Sequence, residues 1–271
     1  MPSPQCPPLV SLPVLQWLGV QAEQAGIAQW ITQAQSLPHL AWVDYPTPAV
    51  IYGRRGGVTP ERQTCAQARG CALLARRSGG GAVLAGPWLL GFHLWLPQAH
   101  SAAALSAVQS MQSVGVCVAQ ALRSLDQAVA LASAQDMARN TARVKAAALE
   151  WNCFAGLSHG ELLDATGRKC LGLSQARVAA GVLISGGLLT QATPWPVLDF
   201  VHHGGDPAPS LKPSVTASLV SDGITAVHTQ QRDAFKHQLA QALARWLNAA
   251  APQGARHITP TISSKPLATP A

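Results

Sequence analysis

The run Arg76-Arg77-Ser78-Gly79-Gly80-Gly81-Ala82-Val83 joins two guanidinium groups to three glycines. Arginine stays charged and presents a planar fork of donors, and glycine lets bare backbone N–H groups approach a ligand that a side chain would push away. Together they suit an acyl, phosphate or carboxylate group. Such a stretch is also the composition of a flexible turn, but this one runs into the apolar Ala82-Val83-Leu84, which reads as a buried strand. Cys153, in Trp151-Asn152-Cys153-Phe154-Ala155-Gly156, falls on an expected loop. A cysteine is ordinarily a small buried hydrophobe; beside a cation it becomes a thiolate nucleophile. Lys169 sits in Gly167-Arg168-Lys169-Cys170-Leu171-Gly172. A hairpin lysine is usually a solvated charge, but strand alternation gives it the face of Leu171 and Leu173. Its ammonium would then project from an apolar wall and polarise a carbonyl, a service whose loss typically costs ~3 kcal/mol of transition-state stabilisation.

Other candidates carry less. His159 lies close enough to Cys153 to act as its base, although a solvated loop histidine fits it better. Adjacent His202 and His203 point different ways on a loop, with no further ligand spaced for a tetrahedral metal. Cys170 faces away from Lys169 and packs. No metal site is expected.

The elements that must hold these residues follow from periodicity and turn chemistry. A first helix is expected over Leu15 to Gln35, a short strand over Ala49 to Tyr52, and a second helix over Gln63 to Leu74. Strands follow at Ala82 to Leu84 and Leu89 to Leu96. The longest helical pattern runs from Ser101 to Leu125, with Leu105, Val108, Met111, Val118, Leu122 and Leu125 on one face. Residues 126–148 read equally as a helix or a mobile segment. Leu162 to Leu173 form a hairpin turning at Thr166-Gly167; Val182 to Ile184 and Leu188-Leu189 continue the sheet, and Gln231 to Ala249 form an amphipathic helix. Without strict βαβ alternation the fold class is α+β, a mixed sheet with helices on one side. Residues 1–12 and 251–271 are Pro-rich and read as disordered, flanking one catalytic domain over 13–250.

At 271 residues and 48% hydrophobic content the chain can bury a sizeable core. MPSPQCPPLV has no secretory pattern, and the apolar stretch from Ala82 to Pro97 is broken by Gly86, Pro87, Gly91 and His93 and falls short of the ~20 residues a bilayer needs. A cytoplasmic protein without membrane association is expected. Six scattered cysteines lack zinc or disulfide spacing and read as reduced thiols. The formal charge of +7 points to an acidic partner. With only 11% charged residues and no Lys/Arg run above two, acidic protein domains fit better than nucleic acid.

Three segments, in order, resemble the biotin/lipoate-protein ligase superfamily, which includes octanoyltransferases and lipoyl amidotransferases. Gly53-Arg54-Arg55 is similar to its early glycine-arginine turn, RRSGGGAVLAGP (Arg76 to Pro87) to its ligand-binding signature, and GRKCLGLSQAR (Gly167 to Arg177) to the segment bearing its lysine. The resemblance spans roughly residues 40 to 248. It implies a biotin protein ligase-like catalytic domain acting on lipoyl or octanoyl chains. Arg54, Arg76, Arg77, Ser78, Gly79, Gly80, Gly81, Ala82 and Gly172 would bind substrate, and Lys169 would contact the acyl carbonyl.

Asn152-Cys153-Phe154-Ala155-Gly156 stands where ATP-consuming ligases commonly have a Gly-Arg-Asn-Asp type segment. It is similar to the cysteine loop of the octanoyltransferase and amidotransferase branch. The histidine that many members carry after the glycine run is absent from Leu84-Ala85-Gly86. The other octanoyltransferase branch is not matched, because Gly181 to Gly186 holds neither its cysteine nor its histidine. The expectation is therefore acyl transfer through a Cys153 thioester with no cofactor, Lys169 stabilising the oxyanion and helping keep the thiol ionised. The donor would be an acyl carrier protein or an acylated carrier domain, and the acceptor a lysine of an acidic lipoyl domain or a glycine cleavage H-like protein. Burying an eight-carbon chain would contribute about 5 kcal/mol. The alternatives are an ATP- and magnesium-dependent lipoate-protein ligase and a non-catalytic acyl-binding relative.

Overall fold

Leu89–Pro97 is buried at every position, so it lies at the centre of a sheet covered on both faces. The computed structural model describes residues 9–33, 35–54, 57–205, 219–224, 227, 231–250 and 257–262. Its main sheet has eight strands in the order β11-β1-β2-β6-β10-β9-β8-β7. These are β1 (Leu9–Leu18), β2 (His39–Asp44), β6 (Leu89–Pro97), β7 (Val129–Leu131), β8 (Leu162–Asp164), β9 (Lys169–Val178), β10 (Gly181–Leu189) and β11 (His257–Ile262). β1 pairs parallel with β2 and β11, and the other neighbours are antiparallel. A smaller sheet, β4-β3-β5, comprises β3 (Ala49–Tyr52), β4 (Ala72–Ala75) and β5 (Val83–Ala85).

Alternation sorts the side chains into two cores. Leu90, Phe92, Leu94 and Leu96 face helices α3 (Ala107–Arg123) and α6 (Arg232–Ala250). Leu89, Trp95 and Leu183 face the small sheet, α1 (Gly19–Thr32), α2 (Pro60–Ala68) and α5 (Trp195–His202). The α+β class stands, but the expectation of helices on one side does not: the second face is covered as well. The remaining helix, α4 (Ala134–Ala146), leads into the Cys153 loop. It starts at a capping box in which Ser133 and Asp136 satisfy each other's backbone N–H groups. It thus resolves residues 126–148 into β7 and α4.

Several boundaries differ from expectation. β1 replaces the start of the first helix, because Leu9–Leu18 gains parallel partners on both edges. The expected helix over Gln63 to Leu74 ends at Ala68, and Ala72–Ala75 pairs with β3 instead. The long helix begins at Ala107, after a single 3₁₀ turn at Ser101–Ala104. Strands at Leu9–Leu18 and His257–Ile262 also extend into both segments read as disordered, while residues 1–8, 251–256 and 263–271 lie outside the described residues. The hairpin turns as expected, with Gly167 at φ +77°. No helix among the described residues is long and apolar enough to cross a membrane.

Candidate functional site

The glycine run connects β4 to β5 and is stitched to the cysteine loop. Ala82 N donates to Trp151 O at 2.6 Å, and Cys153 N donates to Ala82 O at 2.9 Å. The approach is so close that a Cβ on Gly81 would lie 2.2 Å from Trp151 O, and Gly80 takes φ +98°. Only glycine fits both demands. Behind the stitch, His202 stacks on Trp151 at 3.8 Å and shares a hydrogen bond with the Tyr52 hydroxyl. The tandem histidines therefore buttress the cysteine loop, and no cluster of metal-ligating side chains occurs among the described residues.

Arg76 folds back over its own loop. Its guanidinium donates to Gly79 O at 2.9 Å and Gly81 O at 3.3 Å, and its Nη2 lies 3.7 Å from Cys153 Sγ. The cation facing the thiol is thus Arg76, not Lys169 as expected. The N–H groups of Gly79, Gly80 and Gly81 meet no acceptor among the described residues. They remain available beside the thiol, since a Cβ on Gly80 would lie 3.7 Å from Sγ.

Lys169 is only 2% exposed and is fully engaged. Its Nζ donates to Glu161 Oε2 at 2.7 Å, Gly156 O at 2.7 Å and Cys153 O at 3.0 Å. An ammonium has three donors, so this cage uses all of them. The expected projection from an apolar wall is therefore corrected: Lys169 grips the backbone of the cysteine loop. Glu161, also 2% exposed, completes the grip by accepting from Ser158 N at 2.8 Å and Leu173 N at 3.0 Å. Nothing in its local sequence marks Glu161 apart from an acid preceding the apolar Leu162-Leu163, and it was not among the sequence candidates.

Cys153 stands where two clefts meet. The inner one, about 680 Å³ with its open mouth, is walled by apolar residues such as Ile27, Ile51, Val83 and Leu183, with Arg77, Ser78, Gly172 and Ser174 also along it. The wider outer cleft includes Gly79 to Gly81, Glu150, Lys169 and Arg177. Ser78 is buried with its hydroxyl 3.5 Å from that of Ser174, whereas Arg77 is exposed. The chain thus brings together Cys153, Lys169, Arg76 to Gly81 and Gly172. Two expected site residues stand apart: Ala82 is buried behind the loop and acts through its backbone, and Arg54 lines neither cleft, its N–H donating to Ser78 O at 3.0 Å. His159 makes no hydrogen bond to Cys153. Burial pushes the Cys170 thiol up to about 12, in keeping with its packed position.

The family profile described as the lipoyl protein ligase A/B catalytic domain matches residues 22–244. A search of curated proteins finds no match. Among solved structures, lipoate-protein ligase A bound with ATP superposes with a TM-score of 0.64 at 16% identity, over 94% of this chain and 89% of that one. Protein Ta0514 from T. acidophilum with bound lipoic acid gives 0.62 at 15% identity over 94% and 88%. The bipartite lipoate protein ligase from Thermoplasma acidophilum, described with its E2 lipoyl domain, gives 0.63 at 15% over 94% and 87%.

Proposed function

Since the chain belongs to the lipoyl protein ligase A/B catalytic domain family, its chemistry is protein lipoylation, and we propose that it moves an octanoyl or lipoyl group through a Cys153 thioester. The observation that carries this reading is the position of Cys153 Sγ, between an apolar inner cleft and an open outer one, 3.7 Å from the Arg76 guanidinium. The acyl chain occupies the inner cleft, and the carrier and acceptor approach from the outer one.

The Cys153 thiolate, opposed by the Arg76 charge, attacks the carbonyl carbon of an acyl thioester on the donor. The tetrahedral oxyanion forms beside the free N–H groups of the glycine loop, which stabilise it without reorganising. Collapse expels the donor thiolate, which takes up a proton, and leaves the acyl group on sulfur. The neutral amine of an acceptor lysine then attacks the thioester, loses a proton and releases the Cys153 thiolate. Lys169 positions the thiol by holding the Cys153 and Gly156 carbonyls. The chain's positive charge suits acidic donor and acceptor domains.

The second reading, an ATP-dependent ligase, is favoured by the room beside the glycine loop in the outer cleft. The acids there fit magnesium poorly. Both Glu161 oxygens are taken by Lys169, Ser158 N and Leu173 N, which leaves the exposed Glu150 as the other carboxylate in that cleft. Intact mass after incubation with an octanoyl-loaded carrier protein, without ATP, separates the readings. A hydroxylamine-sensitive octanoyl adduct present on wild type and absent from Cys153→Ala supports transfer. Transfer to a lipoyl domain that needs ATP and persists in Cys153→Ala would sink it.

A further inference from the structure

The turn that carries the chain from α4 to Cys153 leaves one acid standing in the outer cleft. α4 closes with Ala148 at φ +51°, a left-handed position that glycine usually fills. Ala148 N donates to Lys145 O at 3.1 Å and Leu149 N to Val144 O at 3.0 Å, the paired bonds of a Schellman cap. Leu149 is fully buried in the same core as Val144. Leu149 O then accepts from Asn152 N at 2.9 Å, and Trp151 O is taken by Ala82 N. Glu150 is therefore the exposed corner of a turn whose two neighbours are fixed, and it lines the outer cleft together with Cys153. A left-handed alanine persists only where its surroundings over-determine it. The Glu150 carboxylate makes no ion pair or hydrogen bond among the described residues.

The other charges along that cleft are committed. Lys169 and Glu161 neutralise each other, the Arg177 guanidinium donates to the Ala103 and Leu105 carbonyls, and Arg76 curls over its own loop. Carbonyls do not cancel a guanidinium charge, so a lysine arriving as an ammonium meets two cations and finds its attractive group at Glu150. We infer that Glu150 is the catalytic group that receives the acceptor lysine, an inference that rests on acyl transfer to a protein lysine in this cleft. The carboxylate draws the ammonium in, and the amine gives its first proton to solvent. As the nitrogen bonds to the acyl carbonyl carbon it becomes positively charged, and Glu150 stabilises that charge. Glu150 takes the nitrogen's remaining extra proton as the C–S bond breaks, leaving an amide and the Cys153 thiolate, and then returns the proton to water. Loading of the thiol from a donor involves no amine, so this acid serves the second half-reaction alone.

The test loads Cys153 from an octanoyl-carrier protein and then chases it with a lipoyl domain or with hydroxylamine, following the adduct by intact mass. Glu150→Gln keeps the size of the side chain and removes its charge. The variant should load octanoyl at the wild-type rate and release it to hydroxylamine, a neutral amine, as fast as wild type does. Transfer to the lipoyl-domain lysine should be on the order of a hundredfold slower, the lower end of what a general base contributes. Glu150→Asp should recover part of that loss. Lysine transfer by Glu150→Gln within about threefold of wild type, or an equal loss in loading, hydroxylamine release and lysine transfer, would overturn the inference. Should wild type form no thioester and acylate the domain only with ATP and free octanoate, the Cys153 route falls by itself. The ratio of lysine transfer to hydroxamate formation under those conditions then decides the role of Glu150, and a ratio unchanged in Glu150→Gln overturns it.

Discussion

Replacing Glu161 by Gln should unseat Cys153 without touching it. At 2.7 Å from Lys169 Nζ, with both side chains 3% exposed or less, the pair has a gross Coulomb attraction of about 6 kcal/mol at an effective dielectric of 20. Desolvation of the two groups offsets much of that, so the pair adds little over an apolar substitute. Removing one partner is different, because it strands the other, and such losses run at 3–5 kcal/mol. Glu161→Gln retains one acceptor and should sit near the lower bound, about 3 kcal/mol. For a domain of this size that is a fall in Tm of roughly 6–12 °C. Because Lys169 also holds the Cys153 and Gly156 carbonyls, the variant should lose acyl transfer at temperatures where it is still folded. Lys169→Met should behave similarly, and the double variant should be less damaging than the sum of the two, as residues in one network are. Thermal and urea melts and octanoyl transfer on the four proteins measure the cycle. A Glu161→Gln protein that melts within about a degree of wild type, or additive single losses, would refute the argument that this cage holds the cysteine loop.

Other outcomes follow from the same geometry. Gly81→Ala places a Cβ 2.2 Å from Trp151 O and should reduce transfer at least tenfold with a lower Tm, whereas Gly79→Ala meets nothing within 4 Å and should melt near wild type. Burial pushes Cys117 and Cys170 up to about 12, so brief iodoacetamide treatment of the native protein at pH 8 should label Cys153 ahead of both. Peptide mapping that finds Cys170 alkylated as fast as Cys153 contradicts this. Burial, followed by the Arg62 and His203 charges, holds His202 down to about 4, against about 6.5 unfolded. The unfolded chain therefore binds the extra proton between those values, and stability should fall as pH drops from about 6.5 to 4. His202→Phe should flatten that part of the urea-midpoint profile; an unchanged slope would show that the titrating group lies elsewhere.

Elements whose pattern is local were legible in the sequence. The largely apolar run of β6 and the glycine turn between β8 and β9 declare themselves within a dozen residues. β1 was hidden because its pairing with β2 and β11 is supplied from far along the chain, while its apolar spacing merges with that of α1. The glycine run, the cysteine and the lysine were visible as types of chemistry, yet which cation meets the thiol depends on side-chain paths that spacing does not encode. Arg76 reaches Sγ because it curls over its own glycines, and Lys169 is diverted to carbonyls by an acid eight residues earlier in sequence. Glu23, which lines the inner cleft, did leave a trace. It shares the buried stripe of Val20, Ile27 and Trp30 at helical spacing, a charge on an apolar face that a correct start for α1 would have exposed.

The stitch between Ala82 and the segment from Trp151 to Cys153 also bears on how activity is acquired during synthesis. About seventy residues separate its halves, and a loop of that length must close before the thiol, the guanidinium and the free N–H groups share one place. Folding that depends on such distant pairings is slow compared with helix formation. A nascent chain that has made the glycine run but not yet the cysteine loop lacks half of the site, and one that has made both but not joined them holds the Cys153 thiol apart from Arg76 and the glycine N–H groups. The site is thus completed only when the two segments meet, and whatever chemistry it performs waits for that late step.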